Sequence, residues 1–414
     1  MGRRVVVTGA GAISPVADSA AGLHAALREG RSGLKPLELF PLDGLGPRQA
    51  GEIRPFDPRQ HLGDRNLRPV DRTSRLLLVA AGQALEAAGW TEERRAASEL
   101  GLVVGTTFCS VRTIAEFDRR GLSLGPSHAS PMDFANSVIN AAAGQAAIWF
   151  GLRGVNSTIS GGEASGLQAI AYAADLIRTG RAEALLAGGV EELCYESFLG
   201  YLRASRLASS GSGTDDGERP IPFDARRNGF ALAEGAGLLV LEDADSAARR
   251  GARVLAEVLG HGEAFALSPR EDEMSGAVAR AVRLALTDAA TAPEEIDCLF
   301  ASANGSPAGD RCEALGVAAA LGARAADLPV AAVKGMLGEA LGASGGFQAV
   351  ALLGALDDGT LPGIPGLEAL DEGFPLGGIS QKSRRIEVRR ALVNAVGSDG
   401  HCCAVVLSAP GREG

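Results

Sequence analysis

One segment of the chain is built to carry a single side chain to a helix end. Val155-Asn156-Ser157-Thr158-Ile159-Ser160 predicts a buried strand, Gly161-Gly162 a tight turn, and Ala164 to Thr179 a helix stopped by Gly180. A strand, a sharp glycine turn and a helix together present a residue at the helix N-terminus, where unpaired amides and the helix dipole favour negative charge. The residue at that exposed position is Glu163. A carboxylate there is comfortable, by about 0.3–1 kcal/mol from the dipole alone. Phe108-Cys109-Ser110 follows another strand and offers a thiol. With no His near it in sequence, Cys109 is expected to be a buried, unreactive core residue.

The elements that must position these residues follow an α/β plan. Apolar β-branched runs alternate with Ala- and Leu-rich helical stretches; clear cases are strands Leu100–Gly105 and Ala184–Gly188 and helix Ser275–Ala290. The second half restarts at Arg253-Val254-Leu255-Ala256-Glu257-Val258-Leu259-Gly260, and Cys298–Ser302 takes the part that Leu102–Gly105 plays earlier. This weak repeat predicts two halves, 1–250 and 251–414, inside one compact unit. At 414 residues the chain is long enough for a large core. Ser209 to Gly217 reads as a surface loop and the tail from Gly411 as frayed.

Composition excludes several classes. Hydrophobic residues make up 46% and charged ones 22%, ordinary values for a globular protein. No uninterrupted apolar run is long enough for a membrane span, and the chain opens on a strand, so no signal peptide or membrane partner is expected. A net charge of −10 argues against nucleic acid. The six Cys show no metal-ligand spacing and predict reduced thiols of a cytoplasmic protein, with no metal and no cofactor. Of the 40 basic residues only Lys35, Lys334 and Lys382 are Lys, which leaves 37 Arg. A Lys kept at 334 in such a chain points to an ion pair, with Glu339 or Glu163.

Longer motifs place these residues in a family. The chain opens Arg4-Val5-Val6-Val7-Thr8-Gly9-Ala10-Gly11 and later reads Phe223-Asp224-Ala225-Arg226-Arg227-Asn228-Gly229-Phe230, then Ala233-Glu234-Gly235-Ala236-Gly237. Val333-Lys334-Gly335-Met336-Leu337-Gly338-Glu339-Ala340-Leu341-Gly342-Ala343-Ser344-Gly345-Gly346 follows. In order and spacing, from about residue 3 to about residue 408, the chain resembles the β-ketoacyl-acyl carrier protein synthase (ketosynthase) family. The resemblance implies the α/β thiolase fold, two duplicated βαβαβ halves forming a layered α/β/α/β/α core.

It also implies what the site has lost. A ketosynthase performs a decarboxylative Claisen condensation: a Cys takes the acyl chain as a thioester, and two His help decarboxylate the malonyl extender and stabilise the enolate and oxyanion. Residue by residue, the Cys position falls on Glu163, the first His on Asn304 within Ala303-Asn304-Gly305-Ser306, and the second on Glu339. Only Lys334 retains the family's residue. The five His, at 24, 61, 128, 261 and 401, occupy neither position. A carboxylate is a poor nucleophile toward a thioester. Two carboxylates beside an enolate would repel it, by about 4 kcal/mol at ~4 Å and an effective dielectric of ~20. Asn304 can donate a hydrogen bond but cannot shuttle a proton. No catalytic residue is therefore expected. Gly397-Ser398-Asp399-Gly400 stands where the family has a Gly-Phe-Gly-Gly-type turn, and Val396 and Ser398 replace two aromatics that gate the entrance. Asp310 and Glu313 match acidic positions of the family and are expected to anchor their loop.

A subgroup lacking the Cys, the chain-length factor of type II polyketide synthases, is matched by Gly162-Glu163-Ala164-Ser165-Gly166-Leu167 and by Gly125-Pro126-Ser127-His128-Ala129-Ser130, although its usual replacement is Gln. That likeness implies a non-catalytic subunit pairing with a Cys-bearing ketosynthase and meeting an acyl carrier protein with acyl or malonyl cargo. Glu163 would then fill the disused pocket, or assist decarboxylation or order the partner's site. The stretch Thr106 to Arg119 would be the helix lining a shared tunnel, with Val111, Ile114 and Asp118 on it and Ala135 opposite. None of those four is aromatic, which implies a longer, narrower or differently directed tunnel suited to a reduced polyene-like chain. Two alternatives stand beside this: a malonyl-carrier decarboxylase making acetyl primers with Asn304 and backbone amides, and a ketosynthase-like scaffold or acyl-binding homodimer.

Overall fold

The valine- and alanine-rich runs pair into an 11-stranded sheet in the computed structural model, which describes residues 2–45, 48–208, 220–371 and 373–411. The expected loop at Ser209–Gly217 and the tail beyond Gly411 lie outside the described residues. In chain order the strands are β1 Val5–Ile13, β2 Gly101–Gly105, β3 Asn156–Ile159, β4 Ala184–Glu191, β5 Gly235–Asp243, β6 Ala256–Phe265, β7 Cys298–Phe300, β8 Pro329–Ala331, β9 Gly378–Ile379, β10 Arg390–Val396 and β11 His401–Ser408. The helices that matter for the site are α1 Arg72–Ala87, α2 Val111–Leu124, α3 Pro131–Ala135, α4 Ser165–Arg178, α5 Tyr195–Arg203, α6 Glu271–Asp288, α7 Pro307–Leu321, α8 Lys334–Leu337 and α9 Ser344–Asp358.

The sheet is symmetric about its middle. β1 and β6 pair antiparallel through Val5↔Val258, Val6↔Glu257 and Val7↔Ala256. Outward from β1 the order is β5-β4-β2-β3, and outward from β6 it is β11-β10-β7-β8-β9. On each side the first two pairings are antiparallel and the next two parallel. Strands from the earlier part of the chain thus fill one side and those from the later part the other.

Three layers of helix cover the two sides. α4 and α9 pack between the two sides of the sheet, α1 lies outside β1, β5 and β4, and α6 with α7 lies outside β6 and β11. This is the layered α/β/α/β/α arrangement, with the two strand layers joined at β1 and β6. Strands covered on both faces must be apolar throughout, and all nine residues of β5 are buried. Each fully buried Val or Leu contributes about 1.5–3 kcal/mol. Local chemistry sets the helix starts: Asp71 caps α1 by accepting from the Ser74 amide, and Ser306 caps α7 by accepting from Gly309 with Pro307 in the first turn.

Two expectations about the 155–180 segment change. β3 is an edge strand, with Asn156 exposed and Ser157 to Ile159 only half-buried, because no strand among the described residues lies beyond it. The helix begins one residue later than predicted, at Ser165, because Gly162–Ala164 forms a separate 3₁₀ turn. What brings that turn to the second half of the site is glycine: a Cβ on Gly166 or Gly189 would run into the Gly342 carbonyl oxygen.

Candidate functional site

Gly162 adopts φ 58°, a left-handed conformation that suits glycine, and the turn it makes delivers Glu163 into the protein rather than to the surface. Glu163 is only 5% exposed. Its Oε1 accepts from Tyr201 Oη on α5 at 3.2 Å and from Ser398 Oγ at 2.8 Å. Its Oε2 accepts from the Ser398 amide at 3.1 Å. Burial, then the nearby Glu339 carboxylate, push the Glu163 pKa up, against the hydrogen bonds from its own backbone and Ser398. Burial, then the Glu163 and Glu339 carboxylates, push the Tyr201 phenol up. The position expected to be exposed is therefore buried, and desolvation there outweighs the helix dipole.

The second carboxylate is held by a different set. Glu339 Oε2 accepts from Lys334 Nζ at 2.8 Å and from Asn304 Nδ2 at 2.8 Å. Glu339 Oε1 accepts from Ser344 Oγ at 2.6 Å and from the Leu341 amide at 3.0 Å. Of the two partners expected for Lys334, the structure selects Glu339, and Lys334 also donates to Ser302 Oγ at 3.2 Å. The Asn304 side chain is committed at both ends, since its Oδ1 accepts from the Ser306 amide at 3.0 Å.

Asp310 and Glu313 fasten the loop that carries Asn304. Asp310 accepts from the amides of Phe223, Asn304 and Gly305, and Glu313 accepts from the Ser302 amide at 2.8 Å. Burial lifts Asp310 to about 6 and Glu313 to about 7. A third anchor was not foreseen. Glu191, at the end of β4, gathers the amides of Thr107, Phe108, Cys109 and Gly342, and Thr107 Oγ1 in turn donates to the Gly162 carbonyl. These partners lie in separate loops, so no local pattern announces them. Cys109 is buried in this loop at φ 56°, and burial pushes its thiol up to about 12. Its thiolate is unavailable near neutral pH.

A cavity of about 220 Å³ opens beside Glu163 and Asn304, with Arg206, Phe230, Cys312 and Ser398 on its walls. Among its described lining residues there is no His. Val396 and Ser398, read as replacements for gating aromatics, both line it. The positions assigned to a tunnel lie elsewhere. Helix α2 starts at Val111, later than the predicted Thr106, and all its residues are half-buried or exposed. Val111 and Ile114 are half-buried, Asp118 and Ala135 are exposed, and none of the four lines the cavity. Sequence reasoning passed over Phe117 and Phe134, each one residue before an assigned position, whose rings pack at 5.8 Å.

The buried carboxyls predict a pH dependence. Burial raises Glu191 to about 7, and burial with Asp71 raises Glu192 to about 8. Between the ordinary carboxyl range and these values the folded chain binds more protons than the unfolded chain, so stability falls as pH rises. The melting temperature at pH 5.5 should exceed that at pH 8.5. Glu192→Gln should raise it at pH 8.5 and leave it nearly unchanged at pH 5.5. A melting temperature that climbs with pH across this window would contradict the assignment.

With fold and site in view, comparison places the chain among known proteins. Residues 2–247 match the family described as beta-ketoacyl synthase, N-terminal domain, and residues 255–368 the beta-ketoacyl synthase, C-terminal domain. The 3-oxoacyl-[acyl-carrier-protein] synthase 2 of Synechocystis sp. is 33% identical over 403 residues, 96% of each chain. The protein of the same name from Coxiella burnetii is 32% identical over 410 residues, 98% of each chain. Among solved structures, the ishigamide ketosynthase/chain length factor superposes with a TM-score of 0.90 at 31% identity, covering 99% of this chain and 100% of that one. A type II PKS acyl-carrier protein in complex with its ketosynthase bound to the hexaketide gives 0.89 at 25% identity, over 99% of this chain and 100% of that one.

Proposed function

The chain belongs to the beta-ketoacyl synthase family, and on that premise we propose that it is a chain-length-factor subunit of a type II polyketide synthase. In this reading it has no condensing activity of its own. It pairs with a Cys-bearing ketosynthase and shapes the space in which a carrier-bound chain grows.

The observation that carries the reading is the commitment of Glu339. Among the described residues its carboxylate takes four hydrogen bonds, from Lys334, Asn304, Ser344 and the Leu341 amide, all within the chain. Ketosynthase chemistry needs a thiolate and proton-bearing donors free to meet a thioester. Here the groups at those positions are a buried carboxyl, an amide bonded at both ends and a carboxylate held by a lysine. The decarboxylase alternative is weakened by the same geometry, because one of the two N–H groups of the Asn304 amide it would use already donates to Glu339.

A partner face supports the pairing. Leu122, Leu124 and Phe134 are 88%, 62% and 64% exposed, with Val138 and Ile139 also open. Exposed apolar patches mark protein interfaces, and the outer edge of β3 is unpaired among the described residues.

The test is the assembly mass of the tagged chain from its native host, with peptide sequencing of any subunit that accompanies it. A one-to-one complex with a Cys-containing ketosynthase is the expected result. A stable homodimer without a partner would overturn the proposal. In the complex, Glu163→Ala should leave product yield within a few-fold. In the isolated chain, Glu163→Cys should not produce a synthase, since Asn304 and Glu339 remain.

A further inference from the structure

We propose that Glu163 is a latch: by taking hydrogen bonds from Tyr201 and Ser398 it holds the loop 397–400 down over the cavity beside Asn304, closing that cavity to a thioester-borne chain. The inference goes beyond the subunit role and does not depend on it.

The loop itself is a tight turn between β10 and β11, with Gly397 donating to the His401 carbonyl at 2.7 Å and Gly400 to the Gly397 carbonyl at 3.1 Å. Those bonds shape the turn. One end is tied to the rest of the protein by the Ala266 amide, which donates to the Gly400 carbonyl at 2.9 Å, and Glu163 ties it at Ser398. Ser398 is exposed and lies over the buried Glu163, giving it both its amide and its hydroxyl. From the other side Tyr201 Oη reaches the same carboxyl from α5, and its ring packs against Phe230 on the cavity wall at 5.7 Å between centroids. Contact at the base of the loop is as close as backbone allows. A Cβ on Gly162 would strike the Asp399 carboxylate, and one on Gly397 would fall 3.2 Å from Glu163 Oε2. Asp399 is steadied by His401, whose Nδ1 lies 3.1 Å from its Oδ2.

Three donors thus converge on the two oxygens of one side chain, from elements that are otherwise far apart in sequence. A latch of this kind needs an acceptor, not a negative charge. Gln has one carbonyl oxygen for the Ser398 amide or hydroxyl, and its amide can donate to a hydroxyl turned the other way. Ala has neither. The conservative variant should therefore hold the loop and the small one release it.

Hydrogen–deuterium exchange of the full-length chain, with whatever subunit it carries, reads this at the Ser398 amide. Glu163→Ala should speed exchange there roughly tenfold through local opening, with amides of β10 and β11 unaffected. Glu163→Gln should stay within about threefold of the parent. Cys312 gives a second reading, because it lines the cavity and is 4% exposed. Its alkylation by iodoacetamide, followed by peptide mass spectrometry, should accelerate in Glu163→Ala but not in Glu163→Gln. The thiols of Cys298 and Cys403, buried in the sheet, serve as unchanged references. Should Glu163→Ala fail to fold, the Tyr201→Phe/Ser398→Ala pair removes two of the three bonds and should show the same two changes at smaller size. Unchanged Ser398 exchange and Cys312 labelling in a folded Glu163→Ala protein, or equal release by Gln and Ala, would overturn the latch.

Discussion

Lys334→Met should cost about 3–5 kcal/mol of stability, the range seen when one partner of a buried ion pair is removed. Lys334 and Glu339 are 2% and 1% exposed, and their contact is 2.8 Å long. Without the ammonium, Glu339 keeps Asn304, Ser344 and the Leu341 amide as donors, which moves the expected loss toward the lower end. With an unfolding entropy near 2.1 cal/mol/K per residue, such a loss lowers the melting temperature by roughly 3–6 °C. Replacing both partners, Lys334→Met/Glu339→Leu, should recover only part of the loss, because an apolar pair leaves no charge to desolvate but takes the acceptor from Asn304, Ser344 and the Leu341 amide. Thermal unfolding of the three variants checks all of this. A single variant as stable as the parent would mean that the pair contributes nothing, and that another reason must be found for a Lys in so Arg-rich a chain. Arg is a poor substitute in either case, since its planar fork does not fit where a compact ammonium meets one carboxylate oxygen and one hydroxyl.

What was legible at this site follows sequence separation. The turn Gly161-Gly162 announced itself through glycine, and the Lys334–Glu339 pair spans only five positions, so residue types alone narrowed its partner to two. The burial of Glu163 was not legible, because what covers it is Ser398, 235 positions later. The Asn304–Glu339 bond joins loops 35 residues apart, and Glu191 reaches 84 and 151 residues in two directions. Nothing periodic records such contacts. The fold was more legible. The restart of a strand pattern near Arg253 reflects a true structural symmetry, visible in the matched pairing orders outward from β1 and β6. The layering itself came from resemblance, since strands buried on both faces look alike whichever helices cover them. The edge position of β3 escaped notice for a related reason: Val155 to Ser160 has the residue types of a covered strand, and only the pairing shows that one side is open.

Ile114→Phe should shorten the product of the assembled enzyme by at least one extender unit. Val111, Ile114 and Asp118 recur at three- and four-residue spacing, so they share one face of α2. In the single chain none of them is buried, and the charged residues Arg112, Glu116 and Arg120 occupy the opposite face beside Asp133 and Glu192. A larger side chain on the first face therefore has room in this chain, and its cost to folding should lie within about 0.5 kcal/mol, as for surface sites generally. If a partner closes over that face to form a tunnel, the same ring occupies volume that a growing chain would need. Stability and product length are thereby separated, which a core substitution could not achieve. Val111→Phe and Ala135→Phe should act in the same direction, and Arg119→Ala, on a 66% exposed side chain, should leave length unchanged. Phe117 adds a finer test. Its ring is already engaged with Phe134, so Phe117→Ala should loosen the contact between α2 and α3 and broaden the product distribution rather than shift it one way. Product profiles by mass spectrometry for these variants decide the matter. Identical profiles across Val111→Phe, Ile114→Phe and Ala135→Phe would remove α2 from the proposed tunnel.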